Sequence, residues 1–366
     1  MTKARTNASA TPAVGRNMVI NGAMNVAQRS ASVTGLGAAS GYFTLDRWFI
    51  AEGDASAGRF TMSQTADGPN GISANCIKLD CTTADASIAA GEILTVRQRF
   101  EGQNLQRIGK GVAGAKQITV SFYVKASAVF TFGLELFDED NSRQITKLFA
   151  TTTDWVRHEL TFAADEDDGS SPFADDNANS LLLAFILHAG SNFTSGTLNT
   201  AAFANNTNAN RAVGISSFFS NDANNFFVTG VQMEVGPVAT EFEQEDHGVT
   251  LLKCQRYFYK HVSGNANRLM PGSAVSYNGS FLMLGVQFPE QMRGTPALIE
   301  TTGTNFLRYF HTNTSTNFNG FGAIQEASTH GANVFDSSNI SGLTAGNVGW
   351  VRAVDATYVL AFDAEL

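Results

Sequence analysis

Residues Phe226–Lys260 read FFVTGVQMEVGPVATEFEQEDHGVTLLKCQRYFYK, and this stretch decides how the chain is divided. Its first half alternates: Phe227, Thr229, Val231, Met233 and Val235 take one face of an extended chain, while Val228, Gly230, Gln232 and Glu234 take the other. That pattern predicts a strand. Gly236-Pro237 ends it, because proline has no amide hydrogen to give a ladder and glycine tolerates unusual dihedrals. An acidic, polar run follows, Glu241–His247, and then an apolar-rich segment, Val249–Tyr259, that closes on Tyr257-Phe258-Tyr259. The stretch is therefore the joint between two β-modules, residues 17–247 and 248–366, with an N-terminal arm over residues 1–16.

At 366 residues the chain exceeds what one hydrophobic core usually organises. Hydrophobic residues make up 43% and charged residues 16%, so the surface must be largely neutral polar. Phenylalanine (28) far exceeds tyrosine (7) and tryptophan (3), and it suits half-buried pleated surfaces, so the fold class expected is all-β. The net charge of −9 opposes the basic footprint that phosphate backbones require, so no nucleic acid is expected. No apolar run approaches the roughly 20 residues that span a bilayer. The longest, Leu181–Leu187, has the length of a strand, so no membrane insertion is expected. The opening, MTKARTNASATPAVG, lacks the apolar centre of a secretory leader. Cys76, Cys81 and Cys254 form no paired metal motif and read as small buried thiols, a Cys76–Cys81 bridge across a hairpin being the alternative.

Strands are predicted near Met18–Ile20, Thr44–Ala51, Arg59–Gln64, Cys76–Cys81, Ile93–Glu101, Gln117–Ala126, Phe130–Phe137, Ile145–Thr151, Trp155–Phe162, Leu181–His188 and Phe226–Val235. Many short antiparallel strands with no helical stretch between them imply a jelly-roll β-sandwich. A second, smaller β-sandwich follows, with strands at Cys254–His261, Phe281–Phe288, Ala297–Glu300, Phe306–Phe310, Gly322–Glu326, Gly349–Val354 and Tyr358–Glu365.

Several stretches, in order, resemble tailed-bacteriophage fibre proteins: Arg16–Arg29, Tyr42–Trp48, Gln98–Gly102, Ile118–Ser127, Gln232–Gly236 with Ala239–Glu243, Cys254–Tyr259 and Phe288–Pro296. Between Gln98 and Gly236 the strand pattern also resembles carbohydrate-binding jelly-roll modules. The resemblance implies a virion structural protein, a tail fibre touching host-surface polysaccharide or lipopolysaccharide. It would be made in the host cytoplasm, partnered by other virion proteins and associated as a homotrimer. A capsid decoration or head-fibre protein, gripping its neighbours through the arm, is the alternative.

Glycan binding needs exposed rings and polar loops. In the second module Tyr309, His311 and Trp350 are the ligand-binding candidates, together with Phe310, although Phe310 and Trp350 read more readily as core. In the first, Trp48 and Trp155 are candidates that read more readily as core anchors, because tryptophan is mostly buried. Asp138–Asn141, Asp165–Gly169 and Asp175-Asp176 could each host a structural calcium ion, but none fits the spacing of a calcium loop and solvated loops are preferred. No cofactor is expected. Neither a G-x-S-x-G elbow nor an H-E-x-x-H motif occurs, and there is no β-helix repeat of the depolymerase kind, so no enzyme is expected, a polysaccharide depolymerase with paired Asp and Glu of the first module being the further alternative.

Overall fold

The computed structural model describes residues 15–54, 56–166, 171–263 and 271–366. The arm expected over residues 1–16 lies outside them except for Gly15 and Arg16, as does most of the second acidic stretch beyond Glu166. The chain divides into two compact units, Met1–His247 and Gly248–Leu366. The architecture is all-β, built from antiparallel sheets.

Unit 1 carries β1 (Ser32–Leu36), β2 (Gly41–Tyr42), β3 (Phe49–Gly53), β4 (Arg59–Thr65), β5 (Cys76–Thr83), β6 (Ile93–Glu101) and β7 (Ile118–Ala126). These are followed by β8 (Thr131–Asp138), β9 (Arg143–Ala150), β10 (Val156–Phe162), β11 (Asn179–Ala189), β12 (Ala204–Asn205) and β13 (Asn225–Val235). One sheet has six strands in the order β1-β4-β5-β13-β7-β10, and the other seven in the order β12-β9-β8-β11-β6-β3-β2. Their inner faces form a jelly-roll sandwich rich in phenylalanine among its Leu, Ile and Val. Phe122 meets Phe149 and Phe185 edge-on, each at 5.1 Å between ring centroids, and Phe132 meets Phe226 edge-on at 5.6 Å. Edge-to-face contact puts the positive rim of one ring on the negative face of the next, which explains how so many rings share one core.

The closing strand β13 departs from simple alternation. Its core residues are Phe226 and Val228 in the first half and Val231 and Met233 in the second. The pairing with β7 shifts register between Thr229 and Gln232, and Gly230 takes φ +59 there. A bulge inserts one residue and reverses the phase of the side chains. Phe227 and Thr229, expected beside Val231, therefore lie on the opposite face. The bulge needs glycine, since a Cβ at residue 230 would stand 2.8 Å from Ile72 and 2.9 Å from Tyr123.

Beyond the bulge, β13 organises a polar knot from the motif residues. Glu234 accepts from the amide and the hydroxyl of Thr240, both at 2.8 Å. Gln232 Nε2 donates to Glu234 at 2.8 Å, and Gln232 Oε1 accepts from the amide of Glu243, also at 2.8 Å. Glu243 in turn accepts from the amides of Gly15 (2.5 Å) and Asn17 (2.9 Å). The segment that leads into unit 1 and the segment that leaves it are thus tied to the same strand.

Residues 16–24 form no strand where Met18–Ile20 was expected to give one. They run beside β13, with Met18 N donating to Met233 O (2.9 Å) and Val231 N donating to Gly22 O (3.0 Å). None of the three cysteines is in a disulfide among the described residues, and all three are buried. Cys76 and Cys81 share the single strand β5 at an odd spacing, so their side chains point to opposite faces and no bridge across a hairpin forms between them.

Unit 2 opens with a helix, α1 (His247–Gln255), whose last residues fall where the first strand of this unit was expected to begin, at Cys254. Thr250 and Cys254 are its buried positions, one turn apart on one helical face, and the Leu-Leu-Lys-Cys-Gln run suits a helix. The strands are β14 (Phe258–Ser263), β15 (Gly272–Asn278), β16 (Phe281–Gln287), β17 (Ala297–Thr301) and β18 (Leu307–His311). After them come β19 (Thr314–Phe318), β20 (Ala323–Ala327), β21 (Gly331–Asp336), β22 (Val348–Ala353) and β23 (Val359–Asp363). A three-stranded sheet, β14-β23-β17, and a seven-stranded sheet, β19-β18-β22-β15-β16-β21-β20, enclose a core that includes Leu282, Leu284, Tyr309, Val334 and Phe362. No helix among the described residues is long and apolar enough to cross a membrane.

Candidate functional site

In strand β18 the side chains alternate strictly. Leu307, Tyr309 and His311 point into the core of unit 2, while Arg308 and Phe310 point out. Tyr309 is fully buried; its hydroxyl donates to Asn347 O at 2.9 Å and accepts from Ser276 Oγ at 3.3 Å. His311 stacks on Tyr309 with centroids 4.7 Å apart, and its ring nitrogens meet Thr312 Oγ1 at 3.1 Å and Thr316 Oγ1 at 3.3 Å. Both candidates belong to the interior, where their polar atoms are already matched, so neither can meet a ligand directly.

Trp350 takes the outer face. It is 37% exposed and stacks on its cross-strand neighbour Phe310, with centroids 4.2 Å apart and planes 8° from parallel. Neither ring belongs to the buried core expected for them. The Arg352 guanidinium lies over both rings, 4.7 Å from Phe310 and 4.8 Å from Trp350, and Arg308 is fixed by Nε donating to Asn317 Oδ1 at 2.7 Å. On the next strand Trp350 faces Ser273, and on the strand after that lies Gly285, whose partner is Asn333. Small residues beside the indole leave the sheet floor open there. A cleft of about 340 Å³ opens beside Gly285 and is lined by Gln287, Glu326, Ser328, His330 and Asn333. Asn333 Nδ2 donates to Glu326 Oε2 at 2.7 Å, so the amide and the carboxylate are held in place. The outer face of this sheet therefore runs from an aromatic and guanidinium wall to an amide and carboxylate cleft. Sequence reasoning missed the cleft because its residues are ordinary polar side chains on β16, β20, β21 and the turn between the last two. The alternation of β16, with Gly285 and Gln287 out, is the signal that could have found it.

Of the tryptophans in unit 1, Trp48 is a core residue with no exposed surface, its Nε1 donating to Asn21 O at 3.2 Å. Trp155 lies at the outer face of the six-stranded sheet. It meets Phe227 edge-on at 6.3 Å, its Nε1 donates to Asp67 O at 3.0 Å, and Lys125 Nζ stands 5.2 Å over the ring. Phe227 reaches that face because of the phase change at Gly230.

The acidic stretches resolve differently. Asp138 and Asp165 do converge, but on an ammonium: Lys110 Nζ lies 2.6 Å from Asp138 and 3.1 Å from Asp165, with all three side chains buried. Arg143 adds a two-pronged contact to Asp165, at 3.0 and 3.1 Å. A side-chain cation thus stands between one carboxylate of the first acidic stretch and one of the second. No group of three metal-ligating side chains occurs among the described residues.

No family model matches this sequence, and no curated protein matches it. Among solved structures it is similar to the enzymatically active domain of bacteriophage CBA120 tailspike protein 4, with 10% identity and a TM-score of 0.32 over 60% of this chain. The chain spans 21% of that tailspike's length. It is similar also to a CBM4 module, with 13% identity and a TM-score of 0.30 over 59% of this chain and 97% of the module. A third is the family 11 carbohydrate-binding module of the Clostridium thermocellum cellulase Lic26A-Cel5E, with 13% identity and a TM-score of 0.27 over 58% of this chain and 99% of that one.

Proposed function

We propose that this chain is a carbohydrate-binding protein on the surface of a bacteriophage particle, a tail fibre that attaches to host-surface polysaccharide or lipopolysaccharide without cleaving it. The observation that carries the reading is the outer face of the seven-stranded sheet of unit 2, where exposed Trp350 on β22 stands two strands from a polar cleft of about 340 Å³ beside Gly285 of β16. A sugar ring presents apolar C–H faces and a rim of hydroxyls. An indole takes the first, and fixed amide and carboxylate groups such as Asn333 and Glu326 take the second. The ordered fibre-like motifs support placing it on a virion with other virion proteins. Three copies, as the resemblance implies, would multiply weak contacts into avidity without new chemistry.

The experiment is to apply the purified chain to an array of immobilised bacterial surface polysaccharides and, in parallel, to assay reducing-sugar release. Saturable binding to at least one polysaccharide with no sugar release is the expected result. Release of reducing ends would replace the binding role with a depolymerase, and absence of binding across the array would remove the glycan reading.

A further inference from the structure

The outer face of the seven-stranded sheet of unit 1 holds a second feature, which no contact described so far employs. Along β6, Thr95, Arg97 and Arg99 alternate onto this face, since Leu94, Val96 and Phe100 are in the core. Arg97 lies between Phe49 of β3 and Ala184 of β11 in the register. The Phe49 ring lies beneath two guanidinium groups, 5.1 Å from that of Arg97 and 4.2 Å from that of Arg99. Arg97 has neither a hydrogen bond nor an ion pair among the described residues, and its Nε is buried with no partner. Two residues away, Thr95 is buried and its Oγ1 is also without a partner. Arg211, further across the same face, behaves otherwise: it holds Glu135 through two contacts of 2.7 Å.

A buried guanidinium beside another of the same sign costs stability, and a protein of net charge −9 has carboxylates in abundance to pair with it. None reaches it. Burial first, and the neighbouring Arg99 second, push the Arg97 guanidinium down to about 10, while Glu139 opposes that shift without coming within ion-pair distance. What the fold leaves is a planar two-pronged donor on a ring, beside a free hydroxyl and the small side chain of Ala184. Such a fork matches a carboxylate in geometry and charge.

We propose that Arg97, set on Phe49 beside Thr95, is an anion-recognising position that takes the carboxylate of an acidic saccharide on the outer face of this sheet. The proposal rests on the glycan-binding reading and names a substrate class for it: polysaccharides bearing uronic or similar acidic sugars, as opposed to neutral ones. The same chemistry would accept a phosphate, whether free or on a lipopolysaccharide core, and the test separates the two.

Titration calorimetry with the full chain compares tetragalacturonate, its carboxyl-reduced neutral counterpart and inorganic phosphate, for the wild type and for Arg97→Met and Arg97→Lys. The wild type should bind tetragalacturonate more tightly than the neutral counterpart. Arg97→Met should weaken acidic binding by roughly ten- to a hundredfold, the scale of a charged hydrogen bond, and leave neutral binding alone. Arg97→Lys should recover only part of it. Thermal melting controls for folding, and Arg97→Met should melt no lower than the wild type because the variant removes a like-charge contact. Binding of phosphate but of neither saccharide, lost in Arg97→Met, would overturn the carboxylate assignment and identify a phosphate site. Equal affinity for the acidic and neutral saccharides, unchanged in Arg97→Met, would overturn the subsite while leaving glycan binding intact. Binding of none of the three probes in an Arg97-dependent way would overturn it as well.

Discussion

The side-chain oxygen of Asn17 accepts the backbone amide of Met233 at 3.1 Å, while its amide donates to Val231 O at 3.2 Å. One asparagine thus takes the place of a neighbouring strand where β13 passes its bulge. Asn17→Ala would leave a donor and an acceptor on the closing strand unmatched, at a cost of about 1–3 kcal/mol. Urea unfolding of the full chain should show a lower midpoint with an unchanged slope.

Lys110 is a structural cation between Asp138 and Asp165. Lys110→Met should destabilise unit 1 by about 3–5 kcal/mol, because it leaves the buried Asp138 without its counter-charge, while Asp165 keeps Arg143. Since the ammonium already fills this position, a chelator should leave the melting temperature of the wild type unchanged. A drop on adding chelator would reveal a metal on which stability depends.

Glu52 provides a pH signature. Burial, opposed by Arg59 and reinforced by Glu92, pushes its carboxyl from 4.5 up to about 8, and its Oε1 is buried without a partner. The unfolded chain releases this proton near 4.5 and the folded chain only near 8, so the folded state holds the extra proton in between. Glu52 therefore contributes most below pH 4.5, and its contribution is lost as pH rises towards 8. Melting temperature followed across that range should fall less steeply in Glu52→Gln than in the wild type.

Gly230→Ala tests the bulge. The left-handed backbone alone costs an alanine about 1–2 kcal/mol. Its Cβ would also press on Ile72 and Tyr123, at 2.8 and 2.9 Å. A melting temperature equal to the wild type would show that β13 can realign without its phase change.

Much of the fold was legible because strand alternation leaves a direct mark on sequence. The prediction of β6 matched residue for residue, and β4, β5, β7, β10 and β16 were off by at most two positions at an end. Three strands of unit 2 escaped notice: β15 reads GSAVSYN, β19 TSTNF and β21 GANVFD, where small and polar side chains blur the period. The phase of β13 was misread because Gly230 has no side chain to betray a bulge. In the candidate site, LRYFH shows alternation but carries rings on both faces, so periodicity separates Tyr309 and His311 from Phe310 without saying which pair is buried. Burial is decided by β15 and β22 pairing alongside, and those lie far away in sequence.

The central claim is that the outer face of the unit 2 sheet binds glycan through Trp350. Affinity of the full chain for its preferred surface polysaccharide, measured for the wild type and Trp350→Ala, tests it most directly. Removal of this partly exposed ring should weaken binding by about tenfold with little change in melting temperature, since Trp350 is not part of the core. Equal affinity in the two proteins would contradict the account and place recognition elsewhere.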